Sequence, residues 1–441
     1  MNRYASLLPA VAALLLAAAP TFASGATVPG SESTPADQQL PKKMHAPMKD
    51  RPRVTVGRAN ADMTGEDNRA LQAAVDYVAS LGGGTVEIGP GDYLMRDSLH
   101  LRSFVTVKGV KGQTILRKAD GVSSPLAIDG DYGEEQFTVK NATGFAVGSG
   151  VAIWDKHANG FHLTVARVTG GNGTTFSIDH PLNADCTVGD NAMAATIFPV
   201  ISGCDIEGAR IEGLIVDGNK QNNVYLDGCR GGGIYLYRGF GTVIEDCVAR
   251  NFNGDGISFQ QSNDVIVQRC VSEDNAYLGL HPGSGSQRPI VLECVARHNG
   301  ADGLYLCWRV RYGVFENNRL EENGRFGISI GHKDTDNLLR NNLVRANHEE
   351  GISFRDETFG MAGHRNRLED NRIENNGGAG IRIRGETHDV ILKHNVIQNT
   401  AGDSAGKQIV GIRFDQKVGP VTLDNNQIIA KTEIDDERAQ K

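Results

Sequence analysis

The stretch GISFQQSNDVIVQRCVSEDNAYLGLHPGSGSQRPIVLECVARHNGADGLYL, residues 256–306, contains three copies of one short unit. Each copy is a glycine, an apolar residue, a variable residue and then an apolar residue or proline. The copies begin at Gly256, Gly279 and Gly303, which are 23 and 24 residues apart. Self-similarity at a fixed period of this size is typical of a solenoid, in which each repeat forms one coil.

The same unit continues on both sides of this stretch, beginning at Gly233, Gly327, Gly351, Gly380 and Gly411. After Gly351 the step lengthens to 29 and 31 residues, which predicts loop insertions in the last coils. A second series of positions keeps the same step and consists of Cys247, Cys270, Cys294, Asn318, Asn342, Asn371 and Asn395.

Two markers with one period predict an all-β parallel β-helix, in which short strands bond to the coils above and below at a spacing of ~4.8 Å. Like residues then stack on like residues, so the asparagines form an internal ladder of amides. Cys247, Cys270 and Cys294 occupy the same position in earlier coils. We therefore interpret them as buried free thiols and not as disulfide partners.

The segments outside the repeats have their own signatures. Residues 1–23 predict a signal peptide, with Arg3 before an apolar stretch and a small-residue cleavage site, although a retained membrane anchor is the alternative. The other predicted segments are a disordered linker (24–52), an N-terminal cap with the first coils (53–130), a small β insertion (131–199), β-helix repeats (200–430) and a C-terminal tail (431–441).

The cap contains a predicted amphipathic helix, with Leu71, Ala74, Val75 and Val78 at helical spacing. A helix of this kind closes the open end of a solenoid. The 54 glycines among 441 residues favour many tight turns. The net charge of −8 argues against a nucleic-acid partner. We expect a secreted or periplasmic protein with no membrane association after cleavage.

The run Gly-Gly-Gly-Thr-Val-Glu-Ile-Gly-Pro-Gly-Asp-Tyr at residues 82–93, together with the capping helix and the repeat, resembles the pectin-lyase-like right-handed β-helix superfamily. The resemblance covers residues 53–430 except the insertion, and it implies a right-handed coil. It does not imply one reaction, because that superfamily contains lyases, hydrolases, epimerases, phage tailspikes and adhesins.

The stretch Tyr-Leu-Gly-Leu-His-Pro-Gly at residues 277–283 resembles the Tyr-Gly-Phe-Asp-Pro-His motif of alginate C5-epimerases. In this chain His281 stands at the motif aspartate, Gly283 at the motif histidine and Cys307 at a second aspartate one coil further on. The resemblance therefore implies the location of a site, but it does not carry over the catalytic set.

The coils around this motif predict a polar patch. Strand alternation directs the second and fourth residues after each repeat glycine outward, so that Gly283 and Gly331 flank Cys307 and leave a notch. We interpret Cys307 itself as structural. The candidate catalytic residues are His281, Tyr305, Arg309, His332 and Lys333, and the candidate substrate-binding residues are Arg288, Trp308, Arg355 and Asp334.

These residue types suit a lyase or epimerase acting on an anionic uronic-acid polysaccharide. Arg309, Arg288 or Lys333 would neutralise the substrate carboxylate and make the C5 proton acidic. His281 or His332 would be the base and Tyr305 the proton donor, while the ring of Trp308 would stack on a sugar.

Two alternative functions stay open. A glycoside hydrolase needs close carboxylates, for which Asp334, Asp356 and Glu357 are the candidates. A non-catalytic polysaccharide-binding or adhesive solenoid would use the same flat face. We predict no cofactor or metal, but Asp334 and Asp336 are candidate ligands for calcium.

Overall fold

The computed structural model describes residues 50–400 and 408–439. The predicted signal peptide and the linker up to residue 49 lie outside the described residues. Within the part of the chain that is described, no helix is long and apolar enough to cross a membrane.

Three long parallel sheets run along the described chain, and most coils contribute one short strand to each sheet. This arrangement confirms the predicted right-handed parallel β-helix. In spatial order the first sheet contains Met63–Thr64, Arg53–Gly57, Gly84–Ile88, Val105–Gly109, Arg210–Glu212, Val243–Glu245, Ile266–Gln268, Ile290–Leu292, Val314–Glu316, Leu338–Arg340, Arg367–Glu369, Val390–Lys393 and Val421–Asp424. The second sheet contains Gly91–Met95, Thr114–Lys118, Ile215–Asp217, Val248–Arg250, Val271–Glu273, Val295–Arg297, Arg319–Glu321, Leu343–Arg345, Arg372–Glu374, Val396–Gln398 and Gln427–Ile429. The third sheet contains Leu99–His100, Ile201–Glu207, Ile234–Phe240, Ile257–Gln260, Leu280–Gly283, Leu304–Tyr305, Ile328–Ile330, Ile352–Phe354, Ile381–Ile383, Val410–Phe414 and Thr432–Asp436.

The repeat glycines precede the strands of the third sheet, and the strand register aligns successive repeats. Leu280 pairs with Leu304, which pairs with Ile328. All three side chains are buried in the core that runs along the solenoid. Because side chains alternate along a strand, the residue after each of these positions points away from that core.

The predicted asparagine ladder is present inside the solenoid. Asn318 Oδ1 accepts the backbone N–H of Cys294 at 2.9 Å, and Asn318 Nδ2 donates to Asn342 Oδ1 at 3.0 Å. Cys247, Cys270 and Cys294 are buried free thiols, as predicted. A second ladder that the sequence reading missed comprises Asn275, Asn299, Asn323, Asn347 and Asn376.

The capping helix spans Asn68–Ser80, and the side chain of Asp67 caps its N-terminus. Its apolar face is buried, which confirms the predicted helix. Short 3₁₀ helices occur at Gly160–His162, Val188–Asp190, Lys220–Asn222 and Glu437–Ala439.

The insertion forms an antiparallel sheet with its own cluster of phenylalanines. Its first strand precedes residue 131, where we predicted the insertion to begin. Phe198, at the end of the insertion, packs into the main core and thereby attaches the insertion to the solenoid. In spatial order the strands are Ser123–Pro125, Met193–Ala195, Gly150–Trp154, Thr164–Asn172, Thr175–Ile178 and Gln136–Thr138.

The C-terminal residues differ from the predicted tail. Thr432–Asp436 forms a further strand that pairs in parallel with Val410–Phe414. The physical reason is that Ile434 lies in register with Ile412, so these residues extend the third sheet by one more strand.

Candidate functional site

The candidate site lies on the outer face of the third sheet. The register places Tyr305 beside Ser329 and Ser329 beside Ser353 in one row. In the next row, Gly283 bridges to Cys307. These two rows consist of the second and fourth residues after the repeat glycines, the positions from which the patch was predicted.

A loop covers part of this outer face. Residues 221–232 cross over the sheet, and the carbonyl of Gly228 accepts hydrogen bonds from Ser258 Oγ at 2.7 Å and from Gln260 Nε2 at 3.3 Å. A Cβ atom on Gly228 would lie 1.7 Å from Asp255 Oδ2, so any larger residue there would displace the Asp255 carboxylate. His281, which we expected to face solvent, is only 3% exposed beneath this loop.

The predicted notch beside Cys307 is filled. A Cβ atom at Gly283 would lie 2.3 Å from Gln260 Oε1, and one at Gly331 would lie 2.6 Å from Arg355 Nε. The absence of side chains at the two glycines therefore lets Gln260 and Arg355 lie flat over the sheet. Cys307 stays partly exposed between them.

Two imidazoles, each held by a carboxylate, converge on the sulfur of Cys307. Asp255 Oδ2 lies 2.7 Å from His281 Nδ1, and Glu357 Oε1 lies 2.9 Å from His332 Nε2. Both imidazoles lie beside the Cys307 thiol and influence its ionisation. Among the described residues, the buried Nδ1 of His332 has no hydrogen-bond partner.

These contacts change the protonation of the cluster. Burial opposes ionisation of Cys307, but the interactions with the neighbouring rings of His281 and His332 outweigh it and lower the pKa of the thiol to about 6. Burial likewise disfavours the charged form of His281, yet its bonds to Asp255 and Cys307 raise its pKa to about 10. The interaction with Cys307 and then the hydrogen bond to Glu357 raise the pKa of His332 to about 9. These shifts favour a thiolate between two imidazolium rings at neutral pH.

Tyr305 lies beside this cluster. Its ring meets that of His281 edge-on, with 5.4 Å between the centroids, and the guanidinium carbon of Arg355 lies 4.5 Å from the Tyr305 ring centroid. Burial raises the pKa of Tyr305, so the phenol keeps its proton at neutral pH. A protonated phenol close to a thiolate provides an acid and a base at one site.

Arg355 and Asp334, both predicted to bind substrate, contact the protein itself. Arg355 donates to Ser329 Oγ at 2.8 Å and to Asp334 Oδ2 at 3.0 Å. Asp334 is fully buried and accepts the backbone N–H of Val310. Asp334 is therefore a structural residue of the turn, because a carboxylate with no exposed surface cannot reach a polymer.

The rim of the site is formed by two successive turns. Trp308 and Arg309 have φ values of 59° and 68°, and His332 and Lys333 have values of 47° and 64°. Paired left-handed residues turn the chain sharply. Trp308 is 44% exposed, and the centroid of its ring lies 5.8 Å from that of His332. Arg309 is exposed beside it and Lys333 is half-buried.

The other predicted residues are engaged elsewhere. Arg288 pairs with Asp264 at 2.6 Å on an exposed surface, so it is not brought to Cys307. Asp336 pairs with Arg365 at 2.7 Å. Since Asp334 and Asp336 each bind an arginine, the structure does not support them as calcium ligands.

Sequence reasoning missed Asp255, Gln260 and the ionisation of Cys307. A signal for Asp255 was present, because it directly precedes the repeat glycine Gly256 and so had to lie where the coil enters the third sheet. The loop that brings Gly228 over it left no such signal.

Known proteins share this architecture. A model of the family described as "Periplasmic copper-binding protein (NosD)" matches residues 218–426. Mannuronan C5-epimerase AlgE5 of Azotobacter vinelandii is 23% identical over 346 residues, which are 76% of this chain and 26% of that protein. Mannuronan C5-epimerase AlgE3 of the same organism is 22% identical over 308 residues, which are 67% of this chain and 12% of that protein. The chain thus spans about a quarter or less of the length of these curated relatives.

Solved structures agree on the fold. The A-module of mannuronan C5-epimerase AlgE4 of Azotobacter vinelandii superposes with a TM-score of 0.55 at 17% identity, covering 87% of this chain and 97% of the module. The fold is that of a right-handed parallel β-helix. The Dettilon tailspike protein superposes with a TM-score of 0.54 at 14% identity, covering 82% of this chain and 58% of the tailspike.

The copper in the family description has no matching ligand set here. Among the described residues, no group of three or more His, Cys, Asp or Glu side chains is placed to hold a metal ion. His281 and His332 each use one ring nitrogen on a carboxylate.

Proposed function

We propose that this protein is an exported enzyme that removes the C5 proton from uronic-acid residues of an anionic polysaccharide, acting as a lyase or an epimerase. The observation that carries the proposal is the Cys307 thiol held between two carboxylate-bound imidazoles on the outer face of a β-helix. The similarity to mannuronan C5-epimerases supports the substrate class, and the signal-like residues 1–23 support export.

The base is Cys307 and not a histidine. His281 and His332 hold protons at neutral pH, so neither imidazole can accept another. A thiolate with a pKa near 6 is ionised at pH 7 and is able to take a proton from carbon once the neighbouring carboxylate is neutralised. The two histidines are therefore positioning residues that keep the sulfur charged.

Residues at the rim of the site and Tyr305 carry out the remaining steps. Arg309 or Lys333 pairs with the substrate carboxylate, which stabilises the negative charge that develops when the C5 proton leaves. Trp308 stacks on a sugar ring. In elimination, the C5–H electrons form a C4–C5 double bond, the C4–O4 bond breaks and O4 takes the phenol proton of Tyr305. In epimerisation, the phenol returns a proton to the opposite face of C5.

Deuterium exchange tests both outcomes at once. The protein is incubated in D₂O with polymannuronate, polyguluronate or polygalacturonate, and NMR measures deuterium at C5, while ultraviolet absorbance reports the unsaturated product. We expect exchange or elimination with the wild type and a loss of roughly a hundredfold or more in Cys307→Ala.

Cys204→Ala is the matched control, because Cys204 is exposed on the same sheet, four coils from Cys307. Its activity should equal that of the wild type. Wild-type protein that binds a polymer yet shows neither exchange nor elimination would refute the proposal and favour the non-catalytic binding solenoid.

A further inference from the structure

A separate cleft opens between the insertion and the third sheet. It has a volume of about 540 Å³, and its lining includes Asp97, His100, Ser202, Arg167 and Arg230. Ser202 lies in the same outward row as Tyr305, four strands away. At ~4.8 Å per coil the two positions are ~19 Å apart. The cleft is therefore distinct from the Cys307 site.

Three side chains in this cleft form a continuous hydrogen-bonded chain. His100 and Ser202 are neighbours on paired strands. Ser202 Oγ lies 3.0 Å from His100 Nδ1, and Asp97 Oδ2 lies 3.0 Å from His100 Nε2. Asp97 is buried and the His100 ring is partly exposed. Hydroxyl, imidazole and carboxylate thus have the order and spacing of a nucleophile, a general base and the group that orients it.

The insertion and the loop of residues 221–232 each place an arginine near this triad. Arg167 Nε lies 3.8 Å from Asp97 Oδ2. Arg230 donates its Nε and Nη2 atoms to the carbonyl of Phe161, and no carboxylate of the described residues lies within ion-pair distance of it. The positive charge of Arg230 is therefore left for a ligand. An uncompensated guanidinium favours an anionic substrate and the oxyanion that forms during acyl transfer.

We infer that Asp97, His100 and Ser202 are a second active site, which hydrolyses carboxylic esters carried by an anionic glycan. Ser202 Oγ attacks the ester carbonyl while His100 takes its proton. The tetrahedral intermediate expels the alcohol, which receives that proton, and Ser202 is left acylated. Water then attacks the acyl group, His100 again transfers the proton, and a carboxylic acid and free Ser202 are released.

This activity would not depend on Cys307. The ester could be an O-acyl group on the sugar or a methyl ester of the uronate, since both present the same carbonyl. Asp97 acts through His100 and is a positioning residue. Its replacement by asparagine should lower kcat with little change in KM, because the substrate does not touch it.

The full chain is assayed with 4-nitrophenyl acetate, O-acetylated polymannuronate and methyl-esterified polygalacturonate. Release of acetate or of methanol shows which ester is used. We expect Ser202→Ala to lower kcat/KM by roughly a hundredfold or more. Ser353→Ala is the matched control, because Ser353 occupies the same row of the sheet far from the cleft, and it should equal the wild type.

A fluorophosphonate probe provides a measurement that does not depend on the folding of a variant. Peptide mapping of the labelled wild type should place the adduct on Ser202. Labelling elsewhere, or no hydrolysis of all three esters, overturns the inference. Hydrolysis that persists in Ser202→Ala and disappears in Cys307→Ala would also overturn it, by assigning the activity to the thiol.

Discussion

Replacing Asp255 by asparagine should raise the pKa of Cys307 without unfolding the site. Asp255 Oδ2 lies 2.7 Å from His281 Nδ1, and its Oδ1 accepts the backbone N–H of Leu278 at 3.1 Å. The side-chain oxygen of asparagine can still accept the Leu278 N–H, so the backbone at Leu278 keeps its hydrogen bond. The substitution removes the negative charge that holds His281 protonated.

The magnitude follows from these contacts. A hydrogen bond to a charged group contributes ~1.5–3 kcal/mol, which corresponds to ~1–2 pKa units. His332 still supports the thiolate from the other side, so we expect only part of the change at His281 to reach the sulfur. The pKa of Cys307 should rise from about 6 by roughly one unit.

Alkylation kinetics measure this shift. Iodoacetamide modification of the Cys307 peptide is followed by mass spectrometry at several pH values. With a pKa near 7, the thiolate fraction at pH 6 falls from about one half to about one tenth, so alkylation should slow roughly fivefold there and be nearly unchanged at pH 9.

Asp264→Asn is the control, because Asp264 is exposed and pairs with Arg288 away from the sulfur. An Asp255→Asn protein with the same alkylation midpoint as the wild type would refute the reasoning that the Asp255–His281 pair keeps Cys307 ionised.

Three further predictions follow from the same site. Gly228→Ala should lower the free energy of unfolding by ~1–3 kcal/mol in denaturant titrations, because the new methyl group would lie 1.7 Å from Asp255 Oδ2; an unchanged midpoint would show that the loop moves aside freely. Trp308→Ala should leave the thermal midpoint of unfolding unchanged, since the ring is exposed. It should raise KM for the polysaccharide roughly two- to tenfold, because the stacking contact is lost. An unchanged KM would show that Trp308 does not contact the substrate. Activity should rise with pH through about 6, as Cys307 ionises. It should decline above about 9, because His332 then loses the positive charge that stabilises the thiolate. A rate that falls between pH 6 and 8 would contradict a thiolate base.

The repeat made the fold predictable. Side chains in a β-helix stack at one coil per repeat, so a period of 23 or 24 residues places each residue above its counterpart. The alignment of Leu280 with Leu304, the amide ladder through Asn318 and the three buried thiols all follow from that one period. The row that holds His281 and Tyr305, and the neighbouring row that holds Gly283 and Cys307, were predictable for the same reason.

What covers those rows was not predictable. The contacts of Gly228 over Asp255, of Gln260 over Gly283 and of Arg355 over Gly331 depend on how loops and long side chains fold back onto the sheet. No periodicity governs these contacts. They bury His281, which was expected to act as a base. Its imidazolium instead stabilises the ionised form of Cys307.

The sequence by itself determined the solenoid, its core and the neighbourhood in which chemistry would occur, because a repeating backbone converts distance along the chain into distance between coils. Only the tertiary structure decided which group there is ionised. The pKa of Cys307 depends on two imidazoles and two carboxylates brought together from four different coils, and on the burial that strengthens their interaction. The cleft at Ser202 was likewise decided in three dimensions, by the seating of the insertion against the first coils.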